Sequence, residues 1–150
     1  MPKAIYVNLA VADLQRSMDF FTALGFSFNP QFTDDQAAAL VISDTIYAML
    51  HTPKSFLRFT KKGIADTRTT TEVLLALQVD SRERVDEFMK KALMSGGREH
   101  REAEDYGFMY DRASRTPMGI FGNSSGWMQV RCLNEEWTDF ENKPWAKMYP

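Results

Sequence analysis

"AIYVNLAVADLQRSMDFFTALGF" (residues 4–26) reads as one strand followed by one helix. Ile5, Val7, Leu9 and Val11 alternate as a half-buried strand does, with Tyr6, Asn8 and Ala10 on the opposite face. Asp13 is a natural N-cap, Leu14, Met18, Phe21 and Leu24 recur at helical spacing, and Gly25 ends the helix. The grammar returns in "EVLLALQVDSRERVDEFMKKALMSGG" (residues 72–97). Shifted by 68 residues, Ile5 meets Val73, Val7 meets Leu75, Leu9 meets Leu77, Val11 meets Val79, Phe20 meets Phe88 and Phe21 meets Met89. Asp80 and Glu83 have capping-box spacing, and Gly96-Gly97 supplies the stop. Agreement across a strand and its helix predicts a duplicated supersecondary unit.

Working outward, "FSFNPQF" (26–32), "AAALVIS" (37–43) and "TIYAMLH" (45–51) predict three further strands, the last two joined by a tight turn at "SDT". Each unit is then β-α-β-β-β. The fold class is α+β, two βαβββ modules over residues 4–52 and 72–133. The basic, Thr-rich stretch 53–71 links them as an arm, and their sheets are expected to curl around a shared cleft. Residues 1–134 form one domain on this reading.

Composition narrows the function. The chain has 150 residues, 44% hydrophobic and 25% charged, and is ordinary for a globular protein. A net charge of -2 gives no electrostatic case for a nucleic acid or a membrane partner. One cysteine, Cys132, allows no internal disulfide, and no apolar run approaches the roughly 18 residues of a spanning helix. A cytoplasmic protein is expected.

"VNLAVADLQRSMDFFTALGF", "VDSRERVDEFMKKALMSGG" and "EDYGFMYDR" together resemble the vicinal oxygen chelate superfamily, which holds glyoxalase I, bleomycin-resistance proteins and extradiol dioxygenases. The resemblance covers residues 4–112 and implies the glyoxalase/bleomycin resistance/dihydroxybiphenyl dioxygenase-like fold. Such chains end in a motif like "SFEDPDGHIWELFWMD", whose Glu is a metal ligand in catalytic members. Here the corresponding stretch reads "RASRTPMGIFGNSSGWMQ" (112–129).

The motif lies beneath it in another reading frame. Joining the third base of each codon to the first two of the next, Arg112 and Ala113 permit AGC (Ser), and Ala113 and Ser114 permit TTC (Phe). Continuing to Gln129, the permitted codons spell "SFEDPDGHIWELFWMDA". Loss of one A from CGA-AGC launches the shift at Ala113. The final strand is therefore read as replaced by frameshifted sequence, with residues 135–150 a non-native readthrough tail. "WMQVRCL" (127–133) still alternates, and it is expected to take the vacant strand position, turning Met128, Val130 and Cys132 to the core. The Asn123–Gly126 run before it is expected to turn, and the residues after Asn134 to be irregular, with Trp137 and Trp145 packed on nearby apolar surface.

The resemblance implies metal ligands on the first and last strands of each repeat. Those positions fall on Asn8, near Met49, on Ala76, and on the lost Glu. Asn8 and His51 are weak donors for a metal, His51 being expected at the surface, as is His100 in its polar run. No metal and no cofactor are expected in this chain, though a divalent metal fits the unshifted parent. The pocket is expected to use Tyr6, Asn8, Phe28, Phe32, Met49, Tyr106, Phe108 and Tyr110. The function implied is a small-molecule binder, with the alternative of a metal-dependent lyase, isomerase or dioxygenase of the glyoxalase I type in the unshifted parent. A lactoylglutathione-lyase-like activity belongs to that alternative. Family analogy also implies a homodimer.

Overall fold

The computed structural model describes residues 1–117 and 127–133. Strand β1 (Ile5–Ala10) leads into helix α1 (Leu14–Ala23) through Asp13, whose carboxylate accepts from the Arg16 N–H at 2.9 Å. That caps one of the orphan donors of the first turn. Gly25 follows at φ 100°, a left-handed conformation that stops the helix cheaply only in glycine. Then come β2 (Ser27–Asn29), β3 (Ala37–Val41), β4 (Ile46–His51) and the single-turn helix α2 (Pro53–Phe56).

The second pass has β5 (Leu74–Gln78), α3 (Arg82–Met94), β6 (Arg98–Asp105), β7 (Met109–Arg115) and β8 (Trp127–Leu133). The two four-stranded sheets have matching orders, β1-β4-β3-β2 and β5-β8-β7-β6. In each, the first strand runs parallel to the last and the other neighbours are antiparallel. The 68-residue sequence repeat is thus a repeat of topology, and the two βαβββ modules predicted are present.

Apolar alternation decides which face each sheet buries. Leu9, Val11, Ala38, Leu40, Ala48 and Leu50 join Leu14, Phe20 and Phe21 of the first helix unit in one core. Leu40 and Leu50 are at most 2% exposed, so each contributes about 1.5–3 kcal/mol of burial. Leu75, Leu77 and Phe88 pack against the same core, and Phe26 meets Phe88 edge to face at 5.9 Å. The modules therefore share their helix-side core, and the opposite sheet faces turn away from it. Val85 of α3 covers Val130 and Cys132 of β8 in a smaller cluster.

At Gly97, where α3 runs into β6, a Cβ would meet Ala92 O at 2.7 Å and Ser114 Oγ at 2.9 Å. The close approach of helix end to β7 requires the missing side chain.

Some expectations change. The strand expected through Phe32 stops at Asn29, because Pro30 has no N–H to give the ladder. Asn29 Oδ1 instead accepts from Gln31 N at 3.0 Å, and Pro30–Phe32 wind into a 3₁₀ turn. The cap of α3 is Ser81, which accepts from Arg84 N, rather than Asp80. The charged run "REHREAED" is an edge strand interrupted by register shifts, a composition that suits an edge.

Strand β8 lies between β5 and β7 in the position expected for it, with Leu75 opposite Met128 and Tyr110 opposite Cys132. Val130 is fully buried and Cys132 is 5% exposed, as that register requires. The side chains of Trp127 and Met128, the expected turn at Asn123–Gly126, the stretch 135–150 and the placements of Trp137 and Trp145 lie outside the described residues. Among the described residues no helix is long and apolar enough to cross a membrane.

Candidate functional site

The outward face of the first sheet is built by parity. Tyr6, Asn8 and Ala10 alternate with the core residues of β1, and the parallel register sets them beside Tyr47, Met49 and His51 of β4. At one end the Tyr6 and Tyr47 rings stack at 4.8 Å with 13° between their planes, and Tyr6 is 58% exposed. At the other end lies His51. Four residue steps of strand lead from Tyr6 to Ala10, so the strip is about 13 Å long.

His51 is buried, against the surface position expected for it. The chain folds back after β4, and α2 brings Ser55 under the imidazole. Phe56 and Phe59 set their rings 6.2 and 5.3 Å from it. Nε2 lies 2.9 Å from Asn8 Oδ1, and Nδ1 lies 3.0 Å from Ser55 Oγ. Asn8 Oδ1 can only accept, so Nε2 carries the proton and Nδ1 accepts from the Ser55 hydroxyl. Burial, and secondarily the Arg58 cation, hold the His51 pKa below the ordinary imidazole value. The ring is a neutral clasp joining β1, β4 and the arm.

These donors do not fit a metal. Both nitrogens of His51 and the oxygen of Asn8 are already engaged, and Met49 offers only a thioether. In the second sheet Ala76 lies opposite Gln129, as Asn8 lies opposite Met49 in the first. A methyl group and an amide stand where ligands would be needed. Among the described residues no three or more His, Cys, Asp or Glu converge on one point. Zinc or a hard divalent ion asks for three or four good donors.

The second sheet's outward face has its own polar centre. Asp111 on β7 is 1% exposed and lies between Arg101 of β6 and Arg131 of β8. Arg101 pairs directly with it and with Glu104, while Arg131 Nη2 donates to Gln129 Oε1 at 2.6 Å. Burial raises the Asp111 pKa, and the two guanidinium groups oppose the rise. Asp111 Oδ1 and Arg131 Nε, 4.0 Å apart, are left without hydrogen bonds.

The residues expected to share one pocket separate into groups. Tyr6, Asn8 and Met49 lie together on the strip. Phe28 is turned to the core beside Leu40, and Tyr110 faces α3, its hydroxyl donating to Asp86 at 2.9 Å with Arg82 over its ring. Phe32 is exposed on the 3₁₀ turn. Tyr106 and Phe108 meet each other at the β6–β7 turn, 6.0 Å between centroids, and the Tyr106 hydroxyl donates to Glu104. His100, expected in solvent, is half-buried, with Nδ1 accepting from Arg115 Nε at 3.3 Å. Tyr47, Ser55, Phe56 and Phe59 were not foreseen at the site. Only Tyr47 carried a signal, being in step with Met49 on an alternating strand.

Comparison with known proteins agrees with this architecture. The model of the bleomycin resistance protein-like N-terminal family matches residues 3–43. A hypothetical protein from S. aureus superposes with a TM-score of 0.71 at 23% identity, covering 88% of this chain and 95% of its own. A glyoxalase/bleomycin resistance protein/dioxygenase family enzyme from Burkholderia phytofirmans PsJN gives 0.68 at 15% identity, covering 86% and 97%. A lactoylglutathione lyase from Agrobacterium tumefaciens gives 0.62 at 15% identity, covering 92% and 98%. No curated protein sequence matches the chain. At these identities the structural likeness establishes the fold. The paired βαβββ topology is thus the fold of the glyoxalase and bleomycin resistance proteins, and residues 3–43 resemble the bleomycin resistance protein-like N-terminal family.

Proposed function

We propose that this chain is a small-molecule-binding protein of the glyoxalase/bleomycin resistance type whose strip works without a metal. The observation that carries this reading is the Asn8–His51–Ser55 clasp, which already engages the polar groups best placed to ligate. What remains available is an exposed aromatic platform at Tyr6 and Tyr47, suited to a small apolar or planar ligand. Purified protein is equilibrated with Zn²⁺, Ni²⁺ and Mn²⁺ in turn, desalted and analysed for metal. Substoichiometric metal is expected, and one ion per chain lost in His51→Gln would overturn the reading.

We also infer that residues from Ala113 onward derive from a shifted reading frame, so that the unshifted parent ended in a Glu-bearing strand. A divalent metal and lyase, isomerase or dioxygenase chemistry belong to that parent on this reading. The coding DNA decides it. Read one base off, codons 112–129 must spell the hidden motif, and a Ser124 codon of the AGT or AGC type excludes it, because the required Leu then cannot form. The homodimer is part of the same proposal, with Ile5 and Leu74 exposed on the edge strands β1 and β5. Sedimentation equilibrium giving only the monomer mass would remove it.

A further inference from the structure

The arm after β4 brings an unbalanced charge to one end of the strip. From Pro53 to Gly63 the chain has Lys54, Arg58, Lys61 and Lys62 and no carboxylate. All four are exposed, and among the described residues none forms an ion pair. Arg58 acts on Asp34, whose carboxylate the N–H groups of Gln36 and Ala37 already hold at 2.8 and 2.9 Å. Four cations thus stand on a stretch that carries no carboxylate of its own.

The position of that charge is fixed by packing. Phe56 and Phe59 flank His51, and Ser55 is hydrogen-bonded to it, so the residues between and beside them are held at the His51 end. The net charge of the whole chain, -2, conceals this local reversal. His51 itself is a neutral group with both nitrogens engaged, and it neither balances nor adds to the charge. The second sheet offers no equivalent surplus, since Asp111 and Glu104 pair with its Arg101.

The juxtaposition of an exposed, stacked tyrosine platform at one end of the strip, about 13 Å long, and a cationic rim at the His51 end selects for a particular ligand shape. We propose that the strip takes a planar aromatic small molecule bearing an anionic group, with its rings on the Tyr6–Tyr47 side and its anion toward Lys54 and Arg58. This rests on the binding reading above and specifies the ligand class. A cation on the same frame is repelled at that end, and a neutral molecule gains only the platform. Unscreened charges at an exposed rim are worth about tenfold in affinity, and added salt reduces that.

The test uses two probes with the same ring system on the full chain. They are 8-anilinonaphthalene-1-sulfonate, which is anionic, and N-phenyl-1-naphthylamine, which is neutral. Fluorescence titration is expected to show the sulfonate binding about tenfold tighter at low salt. The preference should shrink in high salt and in the Lys54→Gln/Arg58→Gln double variant, whose changes are on the surface. Tyr6→Ser should weaken both probes. Equal affinity for the two probes, or a preference that the double variant leaves intact, overturns the anionic ligand class. If Tyr6→Ser still weakens both probes in that case, the binding strip itself stands. If neither probe responds to Tyr6→Ser, the strip is not the binding site and both readings fall.

Discussion

Replacing His51 by alanine tests the clasp on which the site depends. The substitution removes a buried imidazole lying between Phe56 and Phe59 and breaks two hydrogen bonds, to Asn8 and to Ser55. The two losses are unequal. Asn8 is exposed and rehydrates its carbonyl, whereas the buried Ser55 hydroxyl is left without its acceptor. One net hydrogen bond at about 1 kcal/mol, an unsatisfied hydroxyl at about 1 kcal/mol and lost ring packing of about 1 kcal/mol give roughly 3 kcal/mol. For a domain of this size that lowers Tm by about 6–12 °C. Urea unfolding followed by far-UV circular dichroism measures it, with an unchanged m-value showing that the same surface is exposed. The wild-type protein should also show a pH signature. A depressed histidine pKa makes the unfolded chain bind more protons below the ordinary value of 6.5, so stability is present above 6.5 and is lost as pH falls toward the folded pKa. His100 is shifted the same way, by burial first and then by Arg115 and Arg101, so His100→Gln serves as the comparison. An alanine variant within about 0.5 kcal/mol of wild type, or a pH dependence that His51→Gln leaves unchanged, would refute the clasp.

Other outcomes follow from the packing. Gly97→Ala should cost about 2 kcal/mol in urea unfolding, since its Cβ meets backbone at 2.7 Å, whereas Gly63→Ala, with open space around it, should stay within about 0.5 kcal/mol. Val130→Ala should cost about 2 kcal/mol if β8 is built into the second core, and a neutral result would detach that strand from the fold. Asp111→Asn should change stability at pH 7 by less than about 1 kcal/mol, because the raised carboxyl pKa means burial already opposes the charge. The sign agrees with linkage: a raised acid pKa gives stability at low pH that is lost as pH rises through the ordinary and then the folded value. A loss above about 3 kcal/mol in the Asn variant would show that the ion pairs dominate instead. A chain ended at Leu133 should unfold in one cooperative transition, as the single-domain reading of residues 1–134 requires.

The elements were legible because periodicity is local. Val7, Leu9 and Val11 announce a strand face by themselves, and the match of Phe20 with Phe88 needs only the sequence. Trp127–Leu133 was legible for the same reason, although nothing else in the stretch from Ala113 resembles the expected motif. The site was less visible because it depends on contacts between distant segments. The burial of His51 follows from Phe56 and Phe59 folding back over it, which no alternation in β4 predicts. Phe28 and Tyr110 were misplaced for a related reason. An aromatic residue on a short or highly charged strand faces whichever side its ladder register dictates, and that register is set by neighbouring strands.

Because β8 lies between β5 and β7, the second sheet is completed by its last described strand. During synthesis the first sheet has all four strands once His51 has emerged, while β5 and β7 must wait with facing edges unpaired until Leu133 follows. The order of emergence makes the first module the nucleus on which the second assembles, with Leu75, Leu77 and Phe88 docking before their own sheet closes. It also leaves a strand-wide gap open on the nascent chain, a template for any extended segment that reaches it first. Ribosome-bound chains stalled between Thr116 and Leu133 are therefore where mispairing with a neighbour should concentrate.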